Sequence, residues 1–463
     1  MAAGSLAAER GRSLWPLAAI LWVGAVAILL QSSSDVAVGL AVMHVVAFVG
    51  AVVVWIAAKR TESPAIVRII VWGWALKMVG TLARFFVLEV VYKGAGDANR
   101  YAYVGGILSQ RMRTGDLGRY VATKQLIGTQ FVELFTGGIY VFTGKTVLGG
   151  FFLYSAIGFA GLYLIFRAVR IAAPEVDQRR YAMLLFFLPS TLFWPSSIGK
   201  ESLMMFCIGV VVYGLARMFE HMPGGIPIVL AGLGASALIR PHITLMLAVA
   251  VMGASTITRS RTAPGDLPLA KWLRVIVFIV AVAVAMSVAS SFLKVDNLDA
   301  ENVNATLQAT NARTSQGGSS FGSGNPAAYP LSVITVMFRP FPFEAGNLQS
   351  AIASVETTLL LVLFVRRRAG VREAFRRLRS NGLLAFVLVY SALFFYVYAS
   401  FGNFGLLARQ RVQLYPLVVI FICISPPDGS EAAPLRWWRS RQHRPVRPVH
   451  RRPAVDATAG MRA

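Results

Sequence analysis

The sequence has few cysteines and no familiar cofactor motif. Only two of the 463 residues are cysteines, and Cys207 and Cys423 both lie within apolar runs. That setting favours a packing role over a disulfide or a metal site. The chain also lacks CxxC, HExxH and P-loop motifs and a GxGxxG that opens a helix. We therefore predict no metal site and no cofactor.

Acidic residues are also scarce, because 21 Asp and Glu oppose 45 Lys and Arg and leave a net charge of +24. Such an excess can indicate nucleic-acid binding, but here most basic residues lie in short loops and after Pro426. That distribution is typical of residues that orient a membrane protein. We predict no nucleic-acid partner, and a disordered cytoplasmic tail over 426–463 that anchors the orientation or touches anionic membrane lipid.

Long apolar runs recur from Leu14 to Ser425, within a predicted membrane domain of residues 1–425. The mean hydropathy of the whole protein is +0.61. A membrane helix needs about 20 apolar residues. We therefore predict a single all-α domain, a polytopic helical bundle of about twelve spans in the cell membrane. The spans are expected at 14–31, 36–58, 65–91, 147–167, 181–197, 201–219, 225–240, 243–257, 273–292, 347–365, 382–400 and 410–425.

The basic residues predict the orientation of these spans. Alternate loops carry most of the Lys and Arg, including the dense block Arg366–Arg379. Positive charge accumulates on the cytoplasmic side, so both termini are expected there. Two long segments, 92–146 and 291–346, then become extracytoplasmic loops. Loops of that length often act as lids or binding loops.

Four short polar motifs interrupt the apolar runs, and the predicted topology places all of them outside, where positive charge is normally scarce. Positive charge kept on that side suggests an anionic ligand. The motifs are Gly199-Lys200-Glu201, Arg240-Pro241-His242, Arg339-Pro340-Phe341-Pro342-Phe343-Glu344 and Arg409-Gln410-Arg411.

Two of the candidate sites lie where a helix is expected to begin. Asp97 follows a Gly-rich turn, and its carboxylate is either a general base for a sugar hydroxyl or the cap of a helix that begins at Ala98. Lys200 is expected to join the N–H groups of a helix starting near Ser197 in binding an anion. The alternative is a Lys200–Glu201 pair at the membrane interface.

The remaining motifs combine arginine with proline or glycine. Arg240 precedes a proline, and its guanidinium matches the geometry of phosphate oxygens, while His242 could serve as an acid–base group. Alternatively, this motif is only a turn between spans. Arg409 and Arg411 follow a glycine-containing turn and either bind the anion or reach to the interface.

Charges are also expected inside the membrane. Lys77 and Arg84 share a face of the third span, and Glu356 lies within the tenth. An ionisable residue at that depth is a functional candidate. The alternative is that Glu356 neutralises Lys77, Arg84 or Arg240.

The order of these motifs resembles the O-antigen-polymerase-like and GT-C-like glycosyltransferases of bacterial polysaccharide assembly. These membrane enzymes use polyprenyl-phosphate-linked sugars outside the cytoplasmic membrane. The resemblance rests on Gly96-Asp97-Ala98 with Tyr101, Gly199-Lys200-Glu201, Arg240-Pro241, the segment from Arg339 to Glu344, and the arginine pair at 409 and 411. It covers about residues 94–411 with short motifs.

The resemblance implies transfer of a sugar or oligosaccharide from an undecaprenyl-type carrier. Asp97 would match the loop acid of GT-C enzymes, and the arginines with His242 would hold the lipid pyrophosphate and activate the acceptor. The chain lacks an Asp-Glu pair in its first large loop and a large soluble C-terminal domain, which favours a polymerase-like member. The competing hypotheses are a flippase of lipid-linked sugars and a non-catalytic partner in a polysaccharide-assembly complex.

Overall fold

The fold is seen in a computed structural model. The structure describes residues 34–118, 120, 126–258 and 329–425, with single residues at 24, 28 and 309. Within these ranges the chain is helical, and its β-structure is limited to an isolated bridge between Val176 and Ile424. The predicted all-α class is therefore confirmed. The predicted spans 14–31 and 273–292, most of the loop 291–346 and the tail 426–463 lie outside the described residues.

The first half of the described chain forms seven helices. The second of them continues into a π-helical turn, Val87–Val91. The helices are α1 (Asp35–Lys59), α2 (Pro64–Phe86), α3 (Asp97–Thr114), α4 (Thr129–Thr143), α5 (Val147–Ala172), α6 (Gln178–Phe187) and α7 (Pro189–Phe193).

The second half begins with a long helix and ends in short ones. A 3-10 turn, Pro342–Glu344, separates two of its members. The helices are α8 (Lys200–Phe219), α9 (Gly225–Ile239), α10 (Pro241–Ile257), α11 (Tyr329–Phe338), α12 (Leu348–Arg366), α13 (Arg368–Arg376), α14 (Gly382–Tyr398), α15 (Phe404–Arg411), α16 (Tyr415–Val418) and α17 (Ile420–Cys423).

Several of these helices are suited to a membrane. Within the described residues, five are long and apolar enough to cross one: α1, α2 with its π turn, α5, α8 and α12. The bent pair Phe404–Arg411 and Tyr415–Cys423 would make a sixth. Much of α1 and α12 presents apolar side chains on the surface, including Phe48, Val53 and Val355. These features are compatible with a membrane protein.

Two predicted spans are broken rather than continuous. The span expected at 181–197 is divided between α6 and α7, and Pro189 is the first residue of α7. Where a span is expected at 410–425, the structure has a helix pair that begins at Phe404 and bends by 55° before Tyr415. Proline cannot donate the backbone hydrogen bond that a helix interior requires, which accounts for the break at Pro189.

The centre of the bundle is a close crossing of α5 and α8. A Cβ added to Gly161 would collide with the backbone of Met205, and one added to Gly209 would collide with Gly161. Small residues let two helix backbones approach within van der Waals contact, a common means of helix association in membranes. This crossing holds the first residues of α8 in a defined position.

The described bundle has two chemically different ends. At one end, Arg167 donates to Thr61 at 2.8 Å, Arg170 pairs with Glu62 at 3.1 Å, and Asn381 donates to the Ala172 carbonyl at 2.7 Å. We call this the basic end, comprising the loops near 59–64, 172–178 and 366–382. The four polar motifs lie away from these loops.

The segment around Arg339 packs inside the bundle. Thr357 donates to the Pro340 carbonyl at 3.0 Å, and Tyr415 donates to the Met337 carbonyl at 3.0 Å. Thr357 is nine residues beyond the start of α12, which is about 14 Å along a helix. The described end of the segment predicted as the extracytoplasmic loop 291–346 therefore contacts α12 and α16. Two buried hydroxyls satisfy the carbonyls that the proline-rich chain leaves free of helical bonds.

Candidate functional site

The centre of the candidate site is the carboxylate of Glu201. It is the second residue of α8 and only 2% exposed. Arg240 donates to Oε1 at 2.5 Å, while Arg409 donates to Oε1 from Nε at 2.8 Å and to Oε2 from Nη2 at 3.0 Å. Charge-assisted hydrogen bonds of this kind are the strongest in proteins. One buried carboxylate therefore joins two guanidinium groups from distant parts of the chain.

Arg409 extends this network toward solvent. Its Nη1 and Nη2 both lie 3.4 Å from Oδ2 of Asp97, whose side chain is 58% exposed. Asp97 is itself the first residue of α3, and Gly96 occupies the capping position. The alternative in which Asp97 caps a helix beginning at Ala98 is therefore wrong. Its charge instead lies in the first turn, where the helix dipole favours an anion.

Arg240 lies at the junction between α9 and α10. Pro241 begins α10, so the motif is a helix break, as the turn interpretation expects. The arginine is nevertheless 7% exposed and donates to both Glu201 and the side-chain oxygen of Gln410. The structure thus combines the turn with a buried charge, so the two interpretations are compatible.

Lys200 lies beside the same carboxylate but pairs elsewhere. Its ammonium donates to the hydroxyl of Thr129, the first residue of α4, at 3.2 Å. The ring of Tyr101 lies near Gly199, and Tyr101 also hydrogen-bonds Thr129. Burial and the charge of Asp97 raise the pKa of Tyr101 to about 12, so its hydroxyl remains protonated at neutral pH.

We call Asp97, Lys200, Glu201, Arg240 and Arg409 the Glu201 cluster. Three cations and two carboxylates leave it with a formal charge of +1. His242 is half-buried and lies close enough to Arg240 and Lys200 for an electrostatic interaction with both. The cluster can therefore attract an anion near a candidate acid–base group.

A second group of charges lies within the bundle. Arg339 donates to Glu344 from Nε at 2.9 Å and Nη2 at 2.5 Å, and it lies 5.3 Å from the ring centre of Phe404. Burial alone would raise the pKa of Glu344, but hydrogen bonds from Arg339 and the Phe341 N–H hold it below its usual value. Arg339 and Glu344 therefore form a pair with each other.

Arg411 belongs to this second group and differs from Arg409, two residues earlier. It is fully buried and donates from Nη1 to the carbonyl of Arg339 at 2.5 Å. Its Nε and Nη2 have no hydrogen-bond partner in the described part of the chain. Its guanidinium lies 5.4 Å from the ring centre of Tyr415. We call Arg339, Glu344 and Arg411 the Arg411 group.

The charges expected inside the membrane do not pair with each other. Glu356 accepts hydrogen bonds from the backbone and hydroxyl of Ser190, and Lys77 donates to the carbonyl of Thr191 at 2.7 Å. Arg84 stacks on Phe193 and Trp194, at 5.0 and 4.9 Å from their ring centres. The prediction that Glu356 neutralises Lys77, Arg84 or Arg240 is therefore wrong. All three side chains instead contact the short helix α7 or the residue that follows it.

Two contributors to the site were not predicted. Gln410 joins Arg240 to α15, and Thr129 holds Lys200 from the first large loop. Gln410 lies within one of the four motifs, so its place between two arginines could have indicated that it belongs to the site. Nothing in the sequence around Thr129 distinguishes it from other loop threonines.

The described residues contain no group of three or more His, Cys, Asp or Glu side chains placed to hold one metal ion. The site is organised by arginine and lysine. Comparisons with protein-family models, with curated proteins and with solved structures find no match to this chain.

Proposed function

We propose that this protein transfers or polymerises sugars from a polyprenyl-diphosphate carrier outside the cytoplasmic membrane. The observation that supports the proposal best is the convergence of the Glu201 cluster. Its charged groups come from α3, α8, α15 and the α9–α10 junction, and the pairs they form span up to 312 residues. A net positive group that includes the exposed carboxylate of Asp97 suits a phosphate leaving group and a hydroxyl acceptor.

The topology belongs to the same proposal. We infer about twelve spans with both termini in the cytoplasm, so that the basic end faces the cytoplasm. The segment 366–382 at that end carries Arg366, Arg368 and Arg372, as the positive-inside rule expects. The Glu201 cluster would then face the outside. The resemblance to bacterial polysaccharide polymerases and GT-C-like enzymes supports the same outward orientation of the Glu201 cluster.

In the proposed reaction, Asp97 accepts the proton of the acceptor hydroxyl. The hydroxyl oxygen forms a bond to the anomeric carbon of the donor sugar as the bond from that carbon to the phosphate oxygen breaks. The departing diphosphate keeps the electron pair, and Arg409 and Lys200 stabilise its charge. The contacts of 3.4 Å between Arg409 and Asp97 are long, so Asp97 can exchange this partner for the substrate.

The leaving group offers a test that does not require the sugar to be known. We expect the purified protein in nanodiscs to bind undecaprenyl diphosphate, measured by native mass spectrometry, at least tenfold more tightly than the uncharged undecaprenol. Arg409→Gln is expected to remove that preference. Arg372→Gln, an exposed change at the basic end, is the matched control. Equal binding of the two lipids by the unaltered protein would contradict the proposal.

One observation favours a second candidate, a non-catalytic membrane partner of a polysaccharide-assembly complex. Glu201 is already paired with both Arg240 and Arg409, so these charges also satisfy each other. In that case the cluster would position α8 and α15 for a protein contact. Undecaprenyl diphosphate would then bind no better than undecaprenol, while Glu201→Gln would still destabilise the protein.

A further inference from the structure

Arg84 is a cation of α2 that has no role in the reaction described above. It is half-buried, and its guanidinium lies 5.0 and 4.9 Å from the ring centres of Phe193 and Trp194. Within the described residues no carboxylate forms an ion pair with it, and its buried Nε has no hydrogen-bond partner. A buried donor without an acceptor costs free energy. The described chain therefore leaves both the charge and the hydrogen bonding of Arg84 incompletely satisfied.

The packing of α7 against α2 fixes the position of this arginine. Lys77 donates to the Thr191 carbonyl at 2.7 Å, and a Cβ added to Gly80 would lie 2.6 Å from the carbonyl oxygen of Leu192. Arg84 follows four residues later, and residues at these spacings share a helix face. Its guanidinium is therefore held at the end of α7, where the chain continues toward α8.

That position brings Arg84 to the Glu201 cluster. It lies close enough to Arg409 and Glu201 for an electrostatic interaction with both. Glu201 already accepts hydrogen bonds from Arg240 and Arg409. The +1 of the cluster and the +1 of Arg84 give a local formal charge of +2. Guanidinium groups held near each other repel, and a bound phosphate would offset that repulsion.

Arg84 and the proposed base lie at different depths. The helix continues from Arg84 through its π-helical turn to Val91, seven residues or about 10 Å further along the axis. Asp97 lies beyond that end, with its side chain exposed. Leu82 and Phe86, on the opposite face of α2, expose apolar side chains. In the proposed topology Arg84 is therefore nearer the membrane interior than Asp97.

We propose that Arg84 binds the second phosphate of the lipid-linked donor, the one attached to the prenyl chain, and so selects a diphosphate carrier over a monophosphate. This inference rests on the proposed function. Arg409 and Lys200 contact the phosphate bonded to the sugar, next to Asp97. The guanidinium of Arg84 donates to the phosphate that lies nearer the membrane interior. Stacking on two aromatic rings holds its planar fork in place for that contact.

The test is native mass spectrometry of the full chain in nanodiscs with added undecaprenyl diphosphate or undecaprenyl monophosphate. We expect the unaltered protein to bind the diphosphate about tenfold more tightly, because it makes one more charge-assisted contact. Arg84→Gln should weaken diphosphate binding by about that factor and leave monophosphate binding within about twofold. Arg84→Lys keeps the charge without the fork and should fall between the two.

Arg68→Gln is the matched control. It makes the same substitution on the same helix, 16 residues earlier or about 24 Å along the axis. Arg68 is exposed, so the control removes an equal charge that is remote from the cluster. It should leave the dissociation constants of both lipids within about twofold.

Different outcomes would overturn the inference and the proposed function. If the unaltered protein prefers undecaprenyl diphosphate to undecaprenol but Arg84→Gln keeps the full preference over the monophosphate, only the role of Arg84 fails. Equal loss of both phosphorylated lipids in Arg84→Gln would show that the arginine supports α7 instead. An equal loss of phosphatidylglycerol binding would identify a general phospholipid contact. If the unaltered protein binds the diphosphate no better than undecaprenol, the proposed function fails and this inference fails with it.

Discussion

Arg409 and Arg411 are two residues apart on the same short helix, yet they belong to different kinds of charged region. Arg409 donates to two carboxylates, Glu201 and Asp97, and reaches toward solvent. Arg411 is fully buried and donates to one backbone carbonyl, with two nitrogen atoms lacking a hydrogen-bond partner in the described chain. The two arginines of one motif are therefore not equivalent.

The difference separates what stabilises the bundle from what is available to a ligand. In the Glu201 cluster, removing one member leaves buried opposite charges without compensation, which is costly. In the Arg411 group, the buried guanidinium already lacks part of its hydrogen bonding, so its removal also relieves a cost. Variants of the two regions should accordingly differ in stability even where the same residue type is replaced.

The largest effect is expected for Glu201→Gln. The variant keeps the shape of the side chain but leaves Arg240 and Arg409 without their shared negative charge. Breaking a buried ion pair in this way costs about 3–5 kcal/mol of the free energy of unfolding. The measurement is chemical unfolding in detergent micelles. A loss below about 1 kcal/mol would show that the cluster is solvated like a surface pair and would end the distinction between the regions.

Glu344→Gln tests the paired part of the Arg411 group. Hydrogen bonds from Arg339 and the Phe341 N–H lower the pKa of Glu344 in the folded state. Such bonds to a charged group contribute about 1–3 kcal/mol, so a loss in that range is expected at pH 7. Because the folded pKa lies below the unfolded one, the stabilisation is present above about pH 4.3 and declines as the pH falls through the folded pKa.

The measurement compares wild type and Glu344→Gln by chemical unfolding between pH 7 and pH 3. The difference in stability should shrink as the solution becomes acidic. Glu133→Gln is a useful companion, because Glu133 pairs with Arg100 outside both charged regions. A Glu344 difference that grows on acidification would reverse the inferred sign of the pKa shift.

The sequence allows prediction of helices better than of contacts. Apolar runs are local, so the starts of α1, α2, α5 and α8 agree with the predicted spans within one residue. The predicted span 181–197 runs through Pro189, where the structure has a break. The proline itself is the local signal for that break.

The site could be predicted only in part, because its partners are distant in the chain. The charge bias grouped Asp97, Arg240 and Arg409 on one side, but it could not show that Glu201 joins the two arginines across 39 and 208 residues. It also placed Arg411 beside Arg409, although only the packing of α12 and Tyr415 decides that Arg411 is buried. Those contacts depend on how helices cross, which no single segment encodes.

Arg411→Met is expected to change the free energy of unfolding by no more than about 1 kcal/mol. Methionine fills similar space and removes the two unpartnered donors, while the Arg339 carbonyl loses one hydrogen bond. Arg240→Met is the matched comparison and should cost several times more, because it leaves Glu201 with one partner fewer. Equal losses in chemical unfolding would show that Arg411 has a strong partner after all.

The smallest effect on stability is expected for Asp97→Asn, and the same variant gives the sharpest test of function. Its exposed pair with Arg409 is worth less than about 1 kcal/mol, because solvent screens surface ion pairs. If Asp97 is the general base, sugar transfer measured as release of undecaprenyl diphosphate from a panel of lipid-linked donors should fall about 10²–10⁴-fold. Binding of undecaprenyl diphosphate should remain, since Arg409 and Lys200 are intact, and Asp97→Glu should restore part of the rate.

Unchanged release in Asp97→Asn would remove the base from the proposed mechanism, whereas loss of both binding and release would make Asp97 a positioning residue for Arg409. The comparison between the two regions therefore extends to function: the residue that contributes least to stability is the one expected to contribute most to the reaction.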